Sequence, residues 1–314
     1  MNRREVLGQA AGVATAAAFG ATGAVGAVGA TGAAAPANDS GALITRRIPS
    51  SGEVLPVIGL GTSGPFEVGT EADARAPLRE VIDAFFNGGG RLIDTSPMYS
   101  TAERVLGDLL SPVQQQRCFM ATKVWADGAA AGVAQMRESA RLLRHAPLDL
   151  IQVHNLRDVD AHLATLRAWQ AEGKVRHVGV THYTASAHAD LERVIERHRP
   201  DFVQFNYSAA TRDAERRVLP LAAERGVAVI VNRAFEDGRL FARLKGVPLP
   251  PWAAEFDATS WAQVLLKFVI AHPAVTCVIP ATGKVRNQLD NLAAGRGRLP
   301  DATALKKIAA AVAA

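Results

Sequence analysis

Short, continuous apolar runs alternate with amphipathic stretches along most of the chain. "RLIDTS" precedes the helical "TAERVLGDLL", where Ser100 and Glu103 have the spacing of a capping box. "RCFMATKVW" precedes a helix near residues 132–145, and "LDLIQVHN" one from about 160 to 172, stopped by Gly173. "VRHVGVTHY" leads into a helix through Leu191 and Ile195, and "DFVQFNYS" into "DAERRVLPLAAERG", with "VAVIVNRAF" next. Near the end, "SWAQVLLKFVIAHP" reads as helix, "AVTCVIPAT" as strand and the segment around Leu289 as a last helix. Strands that are apolar throughout, without period-two alternation, indicate a parallel sheet covered on both faces.

Seven strands are evident. The eighth is expected within "GRLFARLKGVPLPPWAAEFDATS", where Pro248, Pro250 and Pro251 break any regular element. Upstream, "ITRRIPSSGEVLPVIGLGT" reads as two short strands around a Ser-Ser-Gly turn. The pattern predicts an α/β fold, a (β/α)8 TIM barrel preceded by a short N-terminal β-hairpin. An open doubly wound sheet competes, because "GLGTSG", residues 59–64, satisfies G-x-G-x-x-G. That fingerprint needs a helix opening at once, so that its N-terminus faces a pyrophosphate. Here Pro65 and Gly69 follow, and helical periodicity starts only near Asp73.

Barrel chemistry collects where strands end. Asp94, Lys123 and His154 end three successive strands, and Tyr99 lies in the loop after the first. Each has a plainer reading: a turn acid, an outward lysine, a satisfied core histidine. Together they place four ionisable groups at one end of the barrel. A free phenol titrates near about 10, so it is a poor proton donor at neutral pH unless its anion is stabilised. An ammonium beside Tyr99 lowers that value, and Asp94 can hold Lys123 ionised. His154 can then aim a substrate carbonyl at the phenol, an arrangement suited to reducing an aldehyde or ketone.

On these residues the chain resembles the aldo-keto reductases. The match runs from "VIGLGT" through "LIDTSPMY", "ATKVW", "LDLIQVHN", "VRHVGVTHY" and "VQFNYS" to "VIPATGKVRNQLDNL". The resemblance implies a catalytic tetrad of Asp94, Tyr99, Lys123 and His154, with a nicotinamide cofactor extended across the barrel mouth. It implies that Thr181 and Gln204 hold the carboxamide, while His182 stands where the family usually has Asn. Asn232 takes the place of a stacking aromatic, and Arg233 covers the ring or pairs with the pyrophosphate. Thr282, Asn287, Asp290 and Asn291 match the adenosine segment, with Asn287 in place of the usual Arg. Gly61, Thr62, Phe235, Gly238, Leu240 and Pro280 complete the implied cofactor contacts. Lys284 and Arg286 favour NADPH over NADH, since cations suit a 2′-phosphate. Phe66 and Trp125 are the expected substrate walls. The alternative is a nucleotide-binding sensor or subunit that keeps the barrel with little turnover.

Composition changes the picture only at the edges. The chain has 314 residues, 48% hydrophobic and with a formal charge of +5, room for one large domain or two small ones without a nucleic-acid footprint. No Cys/His cluster suggests a metal. Cys118 and Cys277 both fall in strand-like runs and are expected as buried thiols. The first forty residues differ in kind. Arg3-Arg4 precede an uncharged Ala/Gly stretch from Val6 to Asn38 that contains Ala35-Pro36-Ala37. This resembles a twin-arginine export signal over residues 1–37, implying the twin-arginine machinery as a partner and a barrel domain over 38–314. A membrane anchor or a disordered tail is the competing reading. Export separates a reductase from cytoplasmic cofactor, so either one cofactor is retained and recharged by a redox partner, or export does not describe the working protein.

Overall fold

In the computed structural model the described residues are 41–313, so the expected export signal lies outside them. The chain enters through an antiparallel hairpin, β1 (Thr45–Arg47) and β2 (Val54–Pro56), with Arg46 opposite Leu55. Strand–helix units follow: β3 (Leu60–Gly61) with α1 (Ala72–Asn87), then β4 (Leu92–Asp94) with α2 (Ala102–Leu109) and α3 (Pro112–Arg117). Next come β5 (Phe119–Val124) with α4 (Ala129–Leu143), β6 (Leu148–His154) with α5 (Val159–Ala171), and β7 (Val175–Thr181) with α6 (His188–His198). The last units are β8 (Phe202–Asn206) with α7 (Val218–Arg225), β9 (Ala228–Asn232) with α8 (Arg239–Arg243) and α9 (Trp261–Ala271), and β10 (Val275–Val278) with α10 (Val285–Ala294) and α11 (Ala302–Ala313).

Strands β3 to β10 form one parallel sheet in sequence order. Bridges Ile58–Val278 and Gly61–Ala281 bring its two edges together, giving the expected (β/α)8 barrel. Its lower interior is filled by Leu92, Phe119, Ala121, Leu150, Phe202, Ala228, Ile230 and Cys277. Ile48 and Leu55 of the hairpin pack into the same cluster, plugging that end. A larger cluster lies between the sheet and its helices, including Val105, Val153, Val180, Leu191 and Ile195.

Two expectations are corrected. The eighth strand is β3, not part of 238–260. That proline-rich segment forms α8 and a 3-10 turn at Pro251–Phe256, because three prolines remove ladder donors. Strand β3 is two residues long, too short to stand out as an apolar run. Ser100 does not cap α2: it has φ +45°, and the N-cap is Thr101, whose hydroxyl donates to Val68 O at 2.6 Å. Glu103 instead turns inward and accepts from Thr122 and Ser139. As the sequence indicated, "GLGTSG" opens no helix, and α1 starts only at Ala72. Gly59 N–H donates to Val278 O at 2.8 Å and Gly61 N–H to Pro280 O at 3.2 Å. A Cβ on Gly61 would lie 2.6 Å from Ile279 O, so glycine lets the barrel edges meet there. Cys118 and Cys277 are free, buried thiols, as expected.

Candidate active site

Period-two alternation explains why charges end up inside this barrel. Inward positions run from apolar to polar up each strand: Leu92 then Asp94, Phe119 and Ala121 then Lys123, Leu150 then Gln152 and His154, Phe202 then Gln204. The hydrophobic layers fill the lower barrel. The polar layer sits above them, where the strands end.

Lys123 Nζ lies 2.5 Å from Asp94 Oδ2 and donates to Thr95 O at 2.7 Å, with the side chain only 1% exposed. Asp94 Oδ1 accepts from Gln152 Nε2 at 3.0 Å and Gln204 Nε2 at 2.9 Å. The buried carboxylate therefore meets three side-chain donors on two oxygens. Thr62 Oγ1 donates to the Asp94 carbonyl at 3.0 Å and ties β3 to β4. Burial works against the Lys123 charge, but Asp94 and Tyr99 outweigh it and hold the ammonium above its ordinary range.

Tyr99 sits over this pair, with Lys123 Nζ 4.9 Å from the centre of its ring. The sequence led us to expect a lowered phenol pKa. Instead it is raised: burial outweighs the Lys123 charge, and Asp94 adds to the rise. The phenol is thus protonated at neutral pH, the state a proton donor needs. His154 meets Tyr99 edge-on at 6.2 Å between ring centres. Burial first, then the Lys123 charge, lowers its pKa to about 3, so the imidazole is neutral. Ser96 Oγ lies 3.1 Å from its Nδ1.

These groups open into a cavity of about 660 Å³. Of the expected cofactor residues, Gly61, Thr62, Thr181, Gln204, Asn232, Arg233, Phe235, Gly238 and Pro280 line it, along with Asp94, Tyr99 and His154. His182 is half-buried at the end of β7, its ring stacked on Tyr183. Leu240, Thr282 and Asn291 are buried and off the cavity wall. Asn287 and Asp290 line a second hollow with Gln263 and Arg286, while Lys284 is exposed at the N-cap of α10. Arg233 is paired with Asp237 and donates to Tyr183 O at 3.1 Å, so it clasps two rim segments.

Both expected substrate walls are off the lining. Phe66 is fully buried in the core, because the turn at Gly64 carries it inward, and Pro65 lines the cavity instead. Trp125 is covered by Arg157, whose guanidinium carbon lies 4.1 Å from its ring centre and which is itself paired with Asp127. Sequence reading missed Gln152 and Ser96, which support the tetrad, and Asn155, Tyr183 and Phe241 on the wall. Gln152 had a signal, since it stands two residues before His154 on the same strand face.

Comparison with known proteins agrees with this geometry. Residues 57–311 match the Aldo/keto reductase family. A pyridoxine 4-dehydrogenase of Escherichia coli (strain K12) is 28% identical over 171 residues, 51% of this chain and 57% of that protein. The chain thus matches little more than half of that curated relative's length. An aldo-keto reductase of Klebsiella pneumoniae, solved in complex with NADPH, is 26% identical with a TM-score of 0.69, covering 85% of this chain and 94% of its own. One from Bacillus halodurans, in its holo form, shares the fold at 20% identity and a TM-score of 0.71, over 85% and 96% of the two chains.

Proposed function

Since the chain belongs to the aldo/keto reductase family, we propose that its barrel mouth reduces an aldehyde or ketone to an alcohol with NADPH, Tyr99 giving the proton. One observation carries this reading: a buried Lys123–Asp94 pair lies beneath a protonated Tyr99, beside a neutral His154, on the wall of a large cavity. When bound, the reduced cofactor supplies the hydride that reaches the carbonyl carbon. Tyr99 passes its proton to the carbonyl oxygen, and Lys123 stabilises the phenolate left behind. Asp94 keeps Lys123 charged and in place. His154 donates to the same oxygen and holds it at the phenol.

The residues at the mouth suit a nicotinamide cofactor. Asn232 lines the cavity, with its Oδ1 buried and without a hydrogen-bond partner, and Gly238 puts no side chain on the rim. Gln204 is fully engaged, donating to Asp94 and Gln152 and accepting from Thr181 and Asn232, so it braces the tetrad as well. His182 replaces the usual Asn with a defined donor. Its Nδ1 accepts from the Tyr183 and Thr184 amides at 3.1 and 3.2 Å, which leaves its proton on Nε2. Burial lowers its pKa and keeps it neutral. His182→Ala is expected to weaken NADPH binding about 3- to 10-fold, the net worth of one hydrogen bond. A fluorescence titration giving an unchanged Kd would remove His182 from the cofactor site. Exposed Lys284 and Arg286, at the start of α10, favour NADPH over NADH.

Arg3-Arg4 and the Ala/Gly stretch support export of the barrel as folded cargo by the twin-arginine machinery, with cofactor carried inside and recharged by a redox partner. One experiment tests function and location together. Protein recovered from the exported fraction is expected to carry NADP, identified by mass, and to consume added NADPH as an aldehyde becomes its alcohol. NADPH binding with no turnover across a broad carbonyl panel would instead support a nucleotide-binding subunit.

A further inference from the structure

We infer that Ser96 is a positioning residue that fixes His154 in the tautomer with its proton on Nε2, the form able to hydrogen-bond a carbonyl oxygen. The consequence for catalysis rests on the reduction proposed above; the tautomer itself does not.

Ser96 lies two residues beyond the end of β4 and is fully buried. Its Oγ has two partners, the Met98 amide at 3.1 Å and His154 Nδ1 at 3.1 Å. An amide N–H can only donate, so Met98 uses a lone pair of the hydroxyl. The single hydroxyl proton must then find an acceptor. Among the described residues, the one acceptor within hydrogen-bonding reach is His154 Nδ1. Were Nδ1 protonated instead, two donors would converge on Ser96 Oγ and its own proton would be buried without a partner, a costly state. Burial and the Lys123 charge keep the ring from carrying both protons.

The proton therefore sits on Nε2. Among the described residues that nitrogen has no hydrogen-bond partner; it is not sealed in the core and belongs to a residue on the cavity wall beside Tyr99. An Nε2–H donor there attracts a carbonyl oxygen. The other tautomer would present a lone pair to the oxygen and repel it. The Met98 amide thus sets the direction of a two-bond chain, from Met98 N–H through Ser96 to His154, that ends at the substrate oxygen. Pro97 keeps the turn from Ser96 to Met98 stiff, since its ring fixes one backbone dihedral.

Long-range proton–nitrogen NMR on protein with 15N-labelled histidine tests this directly, with His154 assigned by its loss in His154→Gln. Wild-type protein is expected to show Nε2 as the protonated nitrogen across neutral pH. Nδ1 protonation in the wild type overturns the inference whether or not any variant folds. In Ser96→Ala both tautomers should appear, and kcat/KM for an aldehyde should fall about 3- to 10-fold, as for one lost hydrogen bond. NADPH affinity should not change, and Ser96→Thr, which keeps the hydroxyl, should restore both the single tautomer and the rate. An unaltered His154 spectrum in Ser96→Ala overturns the inference too, even if the rate falls. Should the wild type reduce no carbonyl compound, the reduction reading fails while the NMR result still decides the role of Ser96.

Discussion

Replacing Tyr99 with Phe is expected to lower kcat for aldehyde reduction by about 100- to 10,000-fold, the usual contribution of a positioned proton donor. The substitution removes one oxygen and little else. Phe keeps a ring over Lys123, whose ammonium lies 4.9 Å from the ring centre in the native protein, so the packing and the cation–ring contact persist. The Lys123–Asp94 pair keeps its contacts to Asp94, Thr95 and the two glutamines, although the phenol's share in raising Lys123 is lost. NADPH affinity should accordingly change by less than about twofold, within the range of surface-neutral substitutions. The raised phenol pKa leaves the proton on Tyr99 at neutral pH, as the ordinary value would, and burial works against its release; the nearby Lys123 charge opposes that rise and stabilises the phenolate as it forms. Stopped-flow measurement of NADPH oxidation separates this step from product release. A burst as fast as the wild type would show that the proton comes from elsewhere, and the assignment of Tyr99 would fall.

How much of this site the sequence carried depends on the range of each interaction. Asp94, Lys123 and His154 were legible because each ends an apolar run, and a parallel strand that ends in a charge puts it at the barrel mouth. Tyr99 came with them through its fixed loop position. The sign of its pKa shift was not legible, since the charge of Lys123 is a matter of residue type whereas burial is set by the assembled loops. Phe66 and Trp125 show the same limit. An aromatic near a strand end can face the cavity or the core, and here Gly64 turns one inward while Arg157 covers the other. The missing eighth strand has another cause. With only Leu60 and Gly61, β3 is held by its register with β4 and by close contact with β10, both long-range facts. "GLGTSG" shows why a local pattern is a poor guide by itself: the glycine spacing that would suit a phosphate also suits the seam of a closed sheet.

Asp94→Asn is expected to damage stability as well as turnover, and its stability effect should depend on pH. The native carboxylate accepts from Lys123 on one oxygen and from Gln152 and Gln204 on the other. An amide there can keep its oxygen toward Lys123 only by pointing its NH2 at two other NH2 groups. If it turns over, it points donors at the ammonium. Either way a buried cation loses its counter-charge, which costs about 3–5 kcal/mol when one partner of a buried pair is removed. For a domain of this size that corresponds to a drop in Tm of roughly 10 °C. In the variant, burial is no longer opposed by Asp94, so Lys123 should fall below the ordinary lysine value of 10.5. The folded state then binds fewer protons than the unfolded one between that lowered value and 10.5. Stability should therefore rise with pH through that window, and the deficit relative to the wild type should be largest below it. Lys123→Met in the same chain removes the stranded charge, so the double variant should recover much of the lost Tm while remaining inactive. Thermal melts of the two single variants and the double variant across pH provide the cycle. Additive losses, or an Asp94→Asn melt matching the wild type, would mean that the pair contributes nothing to holding the barrel mouth together.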